Sequence, residues 1–229
     1  MSAHGAATGA TVADRVIGMP TRKTSSANTP GRERQRAATI GRVIEAAESL
    51  LTEGVPFAAI SVEQVISRAG IARSTFYAHF DDLGHLLRAL GEGVVTDIIT
   101  AARAWMDLND EVPRDELYKI LTALVKTYLR REKLLAALAE ASTSDPAVRD
   151  EFHRLLEAGH VELATHISRG QELGFVRKEI DPEPTAGWLV WMLERGLYQQ
   201  IRVAPKSAIT RHTRALTDII WNTLYAPNR

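Results

Sequence analysis

Apolar residues return every three or four positions along most of the chain, the period of amphipathic helices, and no stretch alternates as a strand would. The first such run covers residues 33–53, with Ile40, Val43, Ile44, Ala47, Leu50 and Leu51 on one face; Gly54 and Pro56 stop it. Ser61 opens the next, with Gln64 three residues on as in a capping box. Val62, Val65, Ile66 and Ala69 share a face, and Gly70 breaks the run where a turn needs freedom from Cβ. A short segment follows that turns Phe76 and Phe80 inward and leaves Arg73, Ser74, Thr75, Tyr77 and His79 outward. Helix, tight turn and polar second helix spell a helix-turn-helix, a unit that lays its second helix in the DNA major groove.

A long helix is expected over 82–107, its start favoured by Asp81 and Asp82. Gly84, Gly91 and Gly93 lie inside it, each costing roughly 1 kcal/mol against Ala. They either allow close packing or soften the connector between head and body. Further helices follow: one from Pro113 carrying Leu117, Leu121, Leu124, Val125 and Tyr128, one over Glu132–Ala141, and one capped by Ser144 or Asp145 with Pro146 in its first turn. The last two run over about 182–203 and 206–225. The pattern predicts an all-α chain of about nine helices. A head at 32–81 carries the helix-turn-helix, and a larger body at 82–229 serves ligand binding and dimerisation. The stretch 1–31, rich in Ala, Gly, Ser and Thr, reads as a disordered tail. Its Arg22 and Lys23, with Arg32, Arg34 and Arg36, form either a DNA-contacting arm or a solvated end, and Met19 is an alternative start.

The helix at 182–203 is unusual. Trp188, Leu189, Val190, Trp191, Met192 and Leu193 are apolar all round, which calls for burial all round. The simplest second surface is another copy of the chain, giving a twofold four-helix interface with Ile219, Ile220, Trp221 and Leu224 of the last helix.

The 229 residues are 45% apolar and 24% charged, ordinary for a globular protein, and formal net charge is zero. Its distribution changes the picture: residues 1–80 hold nine of the 28 basic side chains and six of the 28 acidic ones. A positive head on a mildly negative body suits DNA. The chain has no cysteine, which excludes disulfides and thiolate chemistry and agrees with a cytoplasmic location. No membrane span or secretory signal is visible. No nucleophile elbow, phosphate loop or metal motif is present, so an enzyme is not expected, and neither is a cofactor. His153, Glu157 and His160 share one helical face at a spacing that could hold a metal, but no fourth ligand accompanies them, and an exposed polar face is the preferred reading.

Aromatics in the body exceed what a tight core needs: Trp105, Tyr118, Tyr128, Trp188, Trp191, Tyr198 and Trp221. They are either core and interface or the walls of a small-molecule site, with Leu121 and Glu194 as further candidates; Glu194 and Arg195 could instead form an ion pair.

The segments Leu50-Leu51-Thr52-Glu53-Gly54, Ser61-Val62-Glu63-Gln64-Val65 and Ala69-Gly70-Ile71-Ala72-Arg73-Ser74-Thr75-Phe76-Tyr77-Ala78-His79-Phe80 together resemble the TetR family of bacterial transcription regulators. The resemblance implies DNA contacts by Arg73, Ser74, Thr75, Tyr77 and His79, with a phosphate held at Ser61. Arg73 suits guanine and Thr75 a thymine methyl, while Tyr77 and His79 suit phosphate. Met192–Tyr198 and Ile220–Arg229 carry a weaker likeness to the mycobacterial ethionamide-resistance branch of that family. It implies a ligand tunnel lined by Tyr118, Val125, Val190, Leu193, Tyr198 and Trp221, with Val190 and Leu193 replacing polar anchors and pointing to a greasier ligand. Two positions depart from the family: Ala72 stands where a Ser or Thr usually caps the recognition helix, and Leu83 where a Lys often contacts phosphate. The implied function is a repressor that binds a palindromic double-stranded operator as a homodimer and leaves it when a small lipophilic effector binds. The alternatives are an activator or ligand-independent regulator and, from another class, a helical carrier or enzyme with a vestigial head.

Overall fold

The computed structural model describes residues 30–110 and 113–225. Of the expected tail, residues 1–29, including Met19, Arg22 and Lys23, lie outside them, whereas Pro30 and Gly31, expected in the tail, belong to the first helix. The described residues contain nine α-helices and no strand, and form two compact units that divide between Gly93 and Val94.

The first unit opens with α1 (Pro30–Thr52), whose stripe of Ile40, Val43, Ile44, Ala47, Leu50 and Leu51 is buried throughout. Gly54 takes a left-handed φ of 89° to leave the helix. Pro56 leads into a short 3-10 turn, Phe57–Ala59, that the hydrophobic period does not announce. Helix α2 (Val62–Ala69) starts on the expected capping box. Ser61 Oγ accepts from the Gln64 amide at 3.2 Å, and Gln64 Oε1 accepts from the Ser61 amide at 2.7 Å. Gly70 ends it at φ 61°, a conformation that costs other residues more than glycine. Helix α3 (Arg73–Tyr77) follows after two residues. Phe76 and Phe80 are fully buried with ring centroids 5.6 Å apart, each stabilising the fold by roughly 1.5–3 kcal/mol.

Helix α4 (Leu83–Met106) begins where expected, with Asp82 Oδ1 accepting from the His85 amide at 2.6 Å. It runs unbroken through Gly84, Gly91 and Gly93. The boundary between the units falls within this helix, so its first residues belong with the head.

In the second unit, α5 (Arg114–Arg130) buries Leu117, Leu121, Leu124, Val125 and Tyr128. Then come α6 (Glu132–Ala141) and α7 (Pro146–Leu173). Asp145 caps α7, accepting from the Ala147 and Val148 amides, and Pro146 occupies the first turn. Near its end Gly170 is required by packing: a Cβ there would run into the side chains of Phe175 and Val176. Gln171 Nε2 donates to the Arg177 and Ile180 carbonyls, each at 2.8 Å, and fixes the loop to α8 (Pro182–Gly196). Helix α8 packs along α7, and α9 (Lys206–Leu224) packs along α5. The expected helix over 182–203 is in fact α8 followed by a π-helical turn, Leu197–Ile201. π-Turns concentrate at functional sites because the extra residue re-aims side chains.

Candidate DNA-binding face and ligand cavity

The sequence places two sites, one in each unit. On the head, α3 has a clear polarity. Phe76 points into the core, Thr75 and His79 are half-buried, and Arg73, Ser74 and Tyr77 are exposed. The Arg73 guanidinium pairs with Glu63 on α2 and lies 5.5 Å from the Tyr77 ring centroid. Its Nη2 donates to the Tyr77 hydroxyl at 3.4 Å. Burial and the nearby Arg36 charge push the His79 pKa below its ordinary value, favouring a neutral ring. Ser61, at the start of α2, is half-buried and occupied by its capping box. Ala72 holds the extended N-cap conformation of α3, φ −75° and ψ 152°, and supplies no side-chain acceptor. All six residues therefore sit on the helix-turn-helix, with Arg73, Ser74 and Tyr77 its most accessible groups.

The body contains a cavity of about 100 Å³. Its walls come from the second half of α4 (Ile98, Ala102, Met106), from α5 (Leu124, Tyr128), from α7 (Phe152, Leu155, Gly159) and from α8 with its π-turn (Val190, Leu193, Glu194, Leu197, Tyr198). Of the residues singled out in the sequence, Tyr128, Val190, Leu193, Glu194 and Tyr198 meet here. The others stand elsewhere for identifiable reasons. Trp105 is 2% exposed and donates its indole N–H to the Tyr225 hydroxyl at 2.6 Å. Leu121 and Val125 are buried on the α5 stripe. Tyr118 is covered by the Arg214 guanidinium, 5.0 Å from its centroid. Trp221 is half-buried on α9. Trp188 and Trp191 are 79% and 41% exposed, so α8 is not buried all round within one chain. The apolar period alone does not mark Met106 and Phe152 as walls, although both lie on apolar stripes.

Two polar groups of the cavity lack a hydrogen bond: the buried Tyr128 hydroxyl and the buried Glu194 Oε2. Glu194 does form the ion pair with Arg195 that the sequence offered as its alternative, Arg195 Nε lying 3.4 Å from Oε2, and the same guanidinium sits 5.9 Å from the Tyr198 ring centroid. Burial raises the Glu194 pKa above the usual carboxylate range, with Arg195 opposing, and burial likewise raises the Tyr128 phenol. Tyr198 donates to Glu140 at 3.3 Å.

The trio His153, Glu157 and His160 does not converge. His153 meets the Trp191 ring edge-on, while His160 lies 3.3 Å from Glu157 and 3.0 Å from the Glu183 carbonyl. Among the described residues no group of His, Asp or Glu could hold a metal, and no helix is long and apolar enough to cross a membrane.

Residues 43–90, which span the end of α1 through the start of α4, match the family described as bacterial regulatory proteins, tetR family. The head is a TetR-family DNA-binding domain. The TetR fold extends over the whole described chain. It is similar to the structure of SmeT, the repressor of the Stenotrophomonas maltophilia multidrug efflux pump SmeDEF, at TM-score 0.65 and 18% identity, covering 83% of this chain and 94% of that one. It is similar to the fatty acid degradation regulator FadR from Bacillus halodurans, at TM-score 0.65 and 18% identity over 85% and 96%. It is also similar to the TetR-family regulator PfmR from Thermus thermophilus, at TM-score 0.62 and 20% identity over 81% and 100%. No curated protein matches the chain.

Proposed function

We propose that this TetR-family regulator is a repressor that binds a palindromic operator as a homodimer and releases it when a small lipophilic ligand enters the body cavity. The observation that carries the reading is the joining, in one chain, of a helix-turn-helix with Arg73, Ser74 and Tyr77 exposed and an apolar-walled cavity with two unbonded polar groups. The reading is binding rather than catalysis, with the cytoplasm, where the DNA is, as its site of action. A structure of SmeT with triclosan bound is among the fold's relatives, which supports a ligand role for the body.

Dimerisation is supported by α8 and α9. Trp188 is 79% exposed, Trp191 41% and Ile219 49%, a concentration of large apolar side chains that a second copy would cover. A dimer sets two recognition helices about one helical turn of DNA apart. The ligand acts by its differential affinity for the DNA-fitting state and another state, with α4, shared by both units, as the connecting element.

The test is a gel shift with DNA from upstream of the gene. A specific, salt-sensitive complex whose footprint covers a palindrome is expected, as is a dimer by light scattering that Trp188→Asp converts to monomer. Absence of any specific complex, or a chain that is monomeric on its operator, would refute the reading.

A further inference from the structure

The cavity walls carry one ionisable acid and no basic side chain: Glu194, with Tyr128 and Tyr198 as the remaining polar groups. Glu194 Oε2 and the Tyr128 hydroxyl are both buried without a hydrogen bond. Both line the same cavity, and the Tyr128 phenol feels the Arg202 charge and, less strongly and in the opposite sense, that of Glu194. A buried acceptor without a hydrogen bond is costly, more so when charged, and a ligand that donates to it recovers that cost on binding.

We propose that the cavity selects lipophilic amines, with the ammonium donating to Glu194 Oε2 and to the Tyr128 oxygen while the hydrocarbon fills the apolar space. The inference rests on the body being the ligand-binding unit. The surrounding charges are consistent with it. Arg195 pairs with Glu194 Oε2 at 3.4 Å without a hydrogen bond, and its side chain is more than half exposed, so an ammonium inside the cavity competes with a solvent-screened partner. Arg202 is engaged with Tyr198, its guanidinium 4.5 Å from the ring centroid and its Nε donating to the Tyr198 carbonyl at 3.4 Å. Glu132 and Glu140 add negative charge on this side of the body, Glu132 acting on Tyr128 and Glu140 accepting from Tyr198. A carboxylate ligand would face Glu194 with no wall cation to receive it. A neutral alcohol could donate to one acceptor but would add no charge inside the cavity to pair with the carboxylate. An ammonium answers both groups, and the rings of Tyr128, Tyr198 and Phe152 offer it cation–π contact. Burial raises the Glu194 pKa, with Arg195 opposing, so a cation placed beside the ionised form gains from relieving that cost.

The size of the space fixes the scale of the probe. A cavity of about 100 Å³ accommodates a short chain or a single ring. The experiment is therefore a head-group series, hexylamine, hexanol and hexanoate, titrated calorimetrically into the full chain at about pH 8. Hexylamine is expected to bind about tenfold more tightly than hexanol, with hexanoate weakest. Glu194→Gln should remove the preference for the amine over hexanol, and Tyr128→Phe should weaken the amine about threefold. If Glu194→Gln does not fold, the ranking on the unaltered protein decides. Hexanol or hexanoate binding as tightly as the amine would overturn the amine inference while leaving the ligand-binding role intact. Binding by none of the three would overturn both.

Discussion

The Trp105 indole N–H donates to the Tyr225 hydroxyl at 2.6 Å in the core of the body. Because indole is a donor only, the Tyr225 oxygen accepts there, and its own proton goes to His166 Nε2 at 2.7 Å. His166 is thereby fixed as the Nδ1–H tautomer, donating to the Met106 carbonyl at 3.0 Å. The chain of bonds ties the end of α4, the middle of α7 and the residue after α9. Tyr225→Phe leaves the Trp105 N–H and His166 Nε2 buried without partners. A destabilisation of about 1–3 kcal/mol is expected, read as a lower urea midpoint with unchanged slope.

The same network makes stability pH-dependent. Burial pushes the His166 pKa below its ordinary value of 6.5, with the Met106 carbonyl opposing and Arg169 adding to the fall. The unfolded chain then binds the proton more readily than the folded one. Stability is full above about pH 6.5 and declines as pH drops from there through the folded pKa. Half-buried His79 shifts in the same direction, whereas His160, hydrogen-bonded to the Glu183 carbonyl and to Glu157, shifts upward. Comparison with His166→Leu isolates the contribution. Between about pH 7.5 and pH 5 the unaltered protein should lose more unfolding free energy than the variant; parallel curves would refute the assignment.

How much of this was legible follows from how local each cause is. The capping box of Ser61 and Gln64, the left-handed Gly70, the Asp145–Pro146 start and the bounds of α6 are written within a few residues, and periodicity located them. The π-turn at Leu197–Ile201 and the 3-10 turn at Phe57–Ala59 leave the apolar spacing almost unchanged, so periodicity missed them. The cavity walls were half-legible. Val190, Leu193, Glu194 and Tyr198 share one helix and its π-turn, where the apolar run was conspicuous. Met106 and Phe152 look like any core residue, because whether a buried face meets another side chain or a void depends on how three other helices stack. Aromatic content also cannot separate Tyr128, on the cavity wall, from Trp105, locked by Tyr225, or Trp188, left in solvent.

Ala72 offers a gain. It already holds the N-cap backbone of α3 without a side-chain acceptor, so Ala72→Ser adds a hydroxyl where the Ser74 or Thr75 amide can use it. The variant should be more stable by about 1 kcal/mol, seen as a higher Tm. If Ala72 weakens the recognition helix, operator affinity should also rise; a stabilised chain with unchanged affinity would show that the cap is not limiting for DNA binding.

Arg73 must leave Glu63 before it can reach a base. The pair is exposed, both side chains 61% accessible, and such pairs contribute little to stability. Its weight falls on recognition if Arg73 reads guanine as proposed, since Glu63 then holds the guanidinium that must reach the base. Glu63→Gln should leave the Tm within about 1 °C, because little surface stability is lost. It should tighten binding to operator and to unrelated DNA alike and steepen the salt dependence, since one negative charge near the phosphates is gone. Arg73→Ala should do the opposite and more selectively. Loss of a bidentate guanine contact costs about 1–3 kcal/mol on operator, with a smaller effect on unrelated sequence. Titrations of both variants at two salt concentrations separate the cases. If Arg73→Ala weakens operator and unrelated DNA equally, Arg73 is a phosphate contact, and base reading passes to Ser74, Thr75 or Tyr77.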